Sequence, residues 1–126
     1  MCKSLNYFIL FLFCGLIFWL SAQETLPSVD LMENEDKIEH LLAYAVMGIL
    51  AWRAFSHWPL SRYQLFLATF GFCSLYGLTD EWHQSFVIGR HSSALDWLAD
   101  SIGGMLAGSV SYWYSRHSKK SGASAG

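Results

Sequence analysis

The sequence predicts an all-α fold, a membrane four-helix bundle with both termini cytoplasmic. Three observations carry that expectation. Hydrophobic residues make up 53% of the 126-residue chain and charged ones only 14%, against roughly 25% charged in an average soluble domain. Four apolar segments each approach the roughly 20 residues that a helix needs to cross about 30 Å of hydrocarbon. Basic residues also gather on one side of those segments, as cytoplasmic loops do.

The first segment, Leu5 to Ala22, has FILFLFCGLIFWLSA at its heart. It reads as a retained helix rather than a signal peptide. Only Lys3 supplies an N-terminal charge, and a cut after Ala22 would put the large Leu20 where a small residue is needed. An acidic outer loop, QETLPSVDLMENED (23–36), leads to the second segment, Ile38 to Phe55. A short inner turn with Pro59 (Ser56 to Arg62) precedes the third, Tyr63 to Thr79. After the connection VIGRHSS comes the fourth, Leu95 to Tyr114. Residues 1–114 thus form one transmembrane domain, and 115–126, containing HSKKSGASAG, read as a disordered basic cytoplasmic tail suited to an anionic inner leaflet.

Charge sets the expected orientation. With both ends inside, Lys3, Arg53, Arg62, Arg116, Lys119 and Lys120 are cytoplasmic, and only Lys37 and Arg90 are outside. All ten acids fall on the outer half. Trp19, Trp82 and Trp97 belong to an outer aromatic belt, Trp52, Trp58 and Trp113 to an inner one. The three cysteines, two inside apolar runs, do not make a disulfide framework. No basic face with interleaved aromatics is present, which argues against nucleic acid as a partner. The lipid bilayer is the first partner implied.

The polar residues are few and sit at one level. Asp36, His40 and Tyr44 recur every four residues and share a helix face, with Gly48 a turn deeper. Gly77, Asp80 or Glu81, and Gln84 share another face. Asp96 and Asp100 share a third, which continues through Gly103, Gly104, Ala107 and Gly108. If the helices pack together, these faces converge in one outward-opening pocket, with Arg90 in the connection beside it. Asp36 with Glu39, and Ser93 with Asp96, also read as helix caps, and Gly104-x-x-x-Gly108 as a packing motif. Asp80 and Glu81 resist that explanation. They end a helix, where the dipole disfavours negative charge, and they repel each other. They call for a proton or a cation from Arg90, His40, His83 or a metal.

The blocks DKIEHLLAYAVMG (36–48), YGLTDEWHQSFVIGR (76–90) and ALDWLADSIGGMLAG (94–108) resemble the three motif blocks of VanZ-like membrane proteins, and IFWLSAQETLP resembles the end of that family's first helix. The resemblance spans residues 17–108 in the family's order and spacing. It implies a small integral membrane protein with a role in the cell envelope, since the founding member is associated with resistance to the glycopeptide antibiotic teicoplanin. It maps Asp36, Lys37, His40, Tyr44, Asp80, Glu81, Gln84, Arg90, Asp96 and Asp100 onto motif positions. Asp100 stands where the family usually has Asn, which adds a negative charge to the pocket.

Two functions follow as expectations. In the first, an extracytoplasmic-face site binds or acts on an envelope amphiphile, a lipid-linked or anionic molecule, or a glycopeptide-related ligand. There His40 is the acid–base group, Asp80 or Glu81 orients it, and Arg90 holds a phosphate bidentately. Asp36, Lys37, Tyr44, Gln84, Asp96 and Asp100 complete the binding wall. With no HExxH or comparable signature, no metal is assigned; oxygen ligation by Asp80, Asp96 or Asp100, with His40 admitting zinc, is a variant of this reading. Neither a cofactor nor a serine or cysteine nucleophile can be read from the sequence. In the second function, the polar cluster is an interhelical network that locks a non-enzymatic, partner-binding bundle.

Overall fold

Each apolar run is free of proline, so nothing interrupts the hydrogen-bonded ladder until a polar connection is reached. In the computed structural model, which describes residues 2–23 and 35–123, four helices result: α1 (Lys3–Ser21), α2 (Glu35–Phe55), α3 (Arg62–Gln84) and α4 (Ala94–Ala123). No strand occurs among the described residues. The acidic connection over 24–34 and residues 124–126 lie outside them, as do the side chains of Asp36, Lys119 and Lys120.

Three helix ends differ from the sequence reading. α3 runs past Thr79 to Gln84, because Asp80, Glu81 and Gln84 turn inward onto the bundle. α4 passes Tyr114 and continues to Ala123, so the stretch expected to be a disordered tail is helical that far. No proline interrupts it, and basic residues suit a helix C-terminus. α2 begins at Glu35, so Asp36 lies within the helix rather than at its cap. The start of α3 is a capping box: Ser61 Oγ accepts the Gln64 N–H at 3.2 Å, and Gln64 Oε1 accepts the Ser61 N–H at 2.9 Å.

The helices run alternately up and down, so α2 and α4 are parallel, as are α1 and α3. The helix pairs are unevenly joined. α2 and α4 share the most extensive contact in the molecule, α1 meets α3 only lightly, and α1 and α4 make no contact among the described residues. Small residues explain the close α2–α4 pair. A Cβ on Gly103 would collide with the Leu41 carbonyl and one on Gly48 with Ala107 Cβ at 2.7 Å, while bare Gly104 lets α4 close on α3 at Cys73. α1 is held at separate points. Asn6 Nδ2 donates to His57 Nε2 at 2.8 Å, and the Tyr76 hydroxyl donates to the Cys14 carbonyl at 2.6 Å.

The core between these helices is Tyr44, Met47, Ala51, Leu65 and Cys73, with Leu10 and Ile17 from α1. Large apolar side chains also face outward on every helix, among them Phe11, Leu42, Leu75 and Val110. So extensive an apolar exterior suits hydrocarbon rather than water. α1 and α2 are each long and apolar enough to cross a membrane. α3 and α4 are long enough, but Asp80, Glu81, Asp96 and Asp100 lower their mean hydropathy.

The α2–α4 contact is testable. Gly103→Ala must push the two helices apart and is expected to cost about 1–3 kcal/mol, seen as a lower thermal midpoint in detergent. Gly71→Ala, where an added Cβ meets nothing within 4 Å, should be neutral or stabilising, since alanine is the better helix former.

Candidate functional site

The inward face of α3 reads Leu65, Thr69, Cys73, Gly77, Asp80, Gln84, one buried residue per turn, with Glu81 beside the last two. It therefore changes from apolar to charged without leaving the bundle. α4 buries Asp96, Ala99, Asp100 and Ala107 on its own inner face. Since α2 and α4 are parallel, their N-termini meet the C-terminus of α3 at one end of the molecule. That juxtaposition explains the acids that the dipole of α3 should repel: two positive helix ends lie next to them.

Four carboxylates are buried there, with Asp80 5% exposed, Glu81 4%, Asp96 5% and Asp100 0%. Each has a specific neighbour. His40 Nδ1 lies 2.8 Å from Asp100 Oδ1. Glu81 Oε2 accepts the backbone N–H of Ser93, the residue before α4, at 2.6 Å. Lys37 Nζ is 3.5 Å from Asp96 Oδ1, an ion pair that falls short of hydrogen-bond geometry. Gln84 Nε2 donates weakly to Asp80 Oδ2 at 3.4 Å. Among the described residues, Glu81 Oε1, Asp100 Oδ2 and the hydroxyl of the fully buried Tyr44 have no hydrogen-bond partner, an unusual concentration of unsatisfied polar atoms.

Asp100 fits because Gly77 makes room for it. A Cβ on Gly77 would stand 2.7 Å from Asp100 Oδ2. The partner that orients His40 is consequently Asp100, rather than Asp80 or Glu81 as the sequence suggested. Arg90 lies at the cleft, as expected, but is also tied to α1. Arg90 donates through Nη2 to the Leu20 carbonyl at 3.0 Å and through Nε to the Gln23 carbonyl at 3.2 Å, so it closes the C-terminal end of α1. Gly89 enables this, with φ 79° in a turn where the Arg90 N–H reaches the Val87 carbonyl at 3.2 Å. His83 leaves the cluster. It stacks on Phe18 and lies 3.5 Å from Ser21 Oγ.

Beside the cluster a cleft of ≈ 120 Å³ opens between α1, α2 and α3, lined by Ser21, His40, Tyr44, Asp80, Gln84 and Arg90 together with Ile17, Leu20, Glu39 and Ala43. The wall from α1 and the roles of Ser21, Glu39 and Ser93 were not apparent in the sequence, where Ser21 merely interrupts an apolar run. Among the described residues, a donor atom from each of His40, Glu81 and Asp100 lies within 4.8 Å of the other two, close enough to share a cation.

A family model, VanZ/LLP1, matches residues 6–115. The chain belongs to the VanZ/LLP1 family. That match embraces all three motif blocks and extends to Asn6 and Ser115, beyond the residues that first suggested the family. No curated protein and no solved structure matches the chain. The family and the apolar exterior together mark it as a membrane protein.

Gly77→Ala tests the packing of this VanZ/LLP1 site. The added methyl should displace the Asp100 carboxylate and break its pairing with His40. We expect destabilisation of about 1–3 kcal/mol and a changed His40 ring signal by NMR. An unaltered His40 signal would mean that the pair does not depend on Gly77.

Proposed function

We propose that this VanZ/LLP1 protein binds a cell-envelope amphiphile whose head group enters the cleft and whose chain lies in the groove between α1 and α3. One observation carries the reading: Asp80 lines both the polar cleft and the adjoining apolar hollow formed by Phe18, Tyr76, Thr79, Trp82, His83 and Phe86. That hollow shares Phe18 and Tyr76 with a third along Tyr7, Leu10, Phe11, Cys14, Gly15 and Phe72. A polar pocket thus continues into an apolar track down the lightly joined α1–α3 side of the bundle, the shape of a molecule with a head and a tail. All four helices cross the bilayer in this reading, the acidic end outward and both termini cytoplasmic, in line with the distribution of basic residues.

The cleft is smaller than the roughly 300–1,000 Å³ of ordinary small-molecule sites, so it takes a head group and not a whole bulky glycopeptide. Glu39, Asp80 and Gln84 offer acceptors there, while Arg90 keeps its charge at the wall but spends two of its N–H donors on α1 carbonyls. Two carboxylates against one arginine favour hydroxyl donors, as on a glycolipid, over a bare phosphate. In phosphatidylcholine nanodiscs containing a minor fraction of glucosyl diacylglycerol, the protein should retain that glycolipid preferentially in native mass spectrometry. Gly15→Phe, at a position whose added Cβ meets nothing within 4 Å, should block the groove and abolish the enrichment while leaving the thermal midpoint in place. Asp80→Asn should weaken it. Equal enrichment in wild type and Gly15→Phe, or preference for phosphatidylglycerol, refutes this reading.

A second reading is favoured by the bond from Ser93 to Glu81 and the contact between His40 and Asp100, which tie α3 to the start of α4 and α2 to α4. In it the cluster is a polar lock for a bundle that acts by binding partners. His40→Gln and Glu81→Gln separate the two. Both variants should fold in normal yield if the cleft is a chemical site; if the cluster is only a lock, both lose thermal stability in detergent together.

A further inference from the structure

We infer that His40, Glu81 and Asp100 form a site for one divalent transition-metal ion at the inner wall of the cleft. The inference goes beyond the amphiphile reading and does not depend on it, because it needs only these three side chains. They come from three helices, and one donor atom of each already lies within 4.8 Å of the others. Donors held about 2.1 Å from a common ion stand roughly 3.0–3.4 Å apart, so a small inward movement completes the triad. His40 Nδ1 and Asp100 Oδ1, 2.8 Å apart, need almost none.

Unpaired atoms point the same way. Glu81 is held through Oε2 by the Ser93 N–H, and its other oxygen is buried with no partner. Asp100 uses Oδ1 toward His40, and its Oδ2 is likewise buried and unpartnered. Carboxylate oxygens left this way are costly without a proton or a cation. Two carboxylates and a neutral imidazole balance a 2+ charge, and the ion replaces the proton shared by His40 and Asp100, which is released to solvent. An imidazole with two carboxylates suits zinc or manganese better than magnesium, which prefers all-oxygen shells and its own waters. The Ser93 N–H fixes Glu81 in the way that partners behind a metal ligand fix its orientation. Three protein ligands leave coordination positions for water or a ligand hydroxyl, and His40 belongs to both the triad and the cleft wall.

The test uses full-length protein in detergent with any affinity tag removed. It is incubated separately with zinc, manganese or magnesium, desalted, and its metal measured by mass spectrometry. About one zinc or manganese per chain should be retained, and EDTA should remove it and lower the thermal midpoint reversibly. His40→Gln and Asp100→Asn should each weaken retention at least about tenfold, since even the outer partners of metal ligands have effects of that size. His83→Gln, outside the triad, should retain the ion. The wild-type response to EDTA decides the matter should the triad variants fail to fold. Retention of magnesium alone, retention unchanged in the triad variants, or a midpoint indifferent to EDTA overturns the assignment. Glycolipid enrichment measured on the EDTA-treated protein shows separately whether the amphiphile reading stands.

Discussion

The close approach of the two parallel helices α2 and α4 is the constraint on which the rest of this structure depends. Gly48 and Gly103 remove the side chains that would keep the backbones apart. Dispersion contacts between such surfaces are what bind helices where lipid gives no hydrophobic drive. The same contact sets the register of the polar residues. With Leu41 seated on Gly103, His40 falls beside Asp100 and Lys37 beside Asp96. α4 closes on α2 and α3 and makes no contact with α1 among the described residues, so the α1–α3 side is lightly joined and holds a groove.

The electrostatics follow from that geometry. Four buried carboxylates at one end of a small bundle would be untenable if the helix C-terminus carrying Asp80 and Glu81 stood alone. Here it lies between two helix N-termini, with the Ser93 N–H donated to Glu81, Lys37 paired with Asp96 and His40 with Asp100. The arrangement holds the acids in place without satisfying every oxygen. A packed scaffold that leaves polar atoms unpartnered holds those groups in place before any ligand arrives, as the proposed site requires. The α1–α3 side is more loosely joined, through Tyr76 and His83, and is the side on which the proposed amphiphile groove lies.

Much of this was legible in the sequence because it follows from one-dimensional spacing. The four-residue recurrence of His40 and Tyr44, and of Asp96 and Asp100, fixes which groups share a face whatever the helices pack against. The unfavourable position of Asp80 and Glu81 at a helix end already required compensation from another segment. What spacing does not contain is which partner each group meets. Arg90, expected beside the pocket, lines the cleft and also closes α1, because the turn at Gly89 brings it to the Leu20 carbonyl. His83, two residues from Glu81 in the chain, turns to Phe18 instead.

By itself the sequence determined an all-α chain of four helices, membrane-suited composition, membership of a recognisable motif pattern and a gathering of polar groups at one end. Those properties depend on residue type and period, which are local. Only the tertiary structure decided that Asp100 and not Asp80 faces His40, that α1 supplies a wall of the cleft, and that polar cleft and apolar groove meet at Asp80. These depend on which helix pairs close most tightly, and that choice is made by contacts between residues far apart in the chain, such as Gly103 with Leu41 and Gly77 with Asp100.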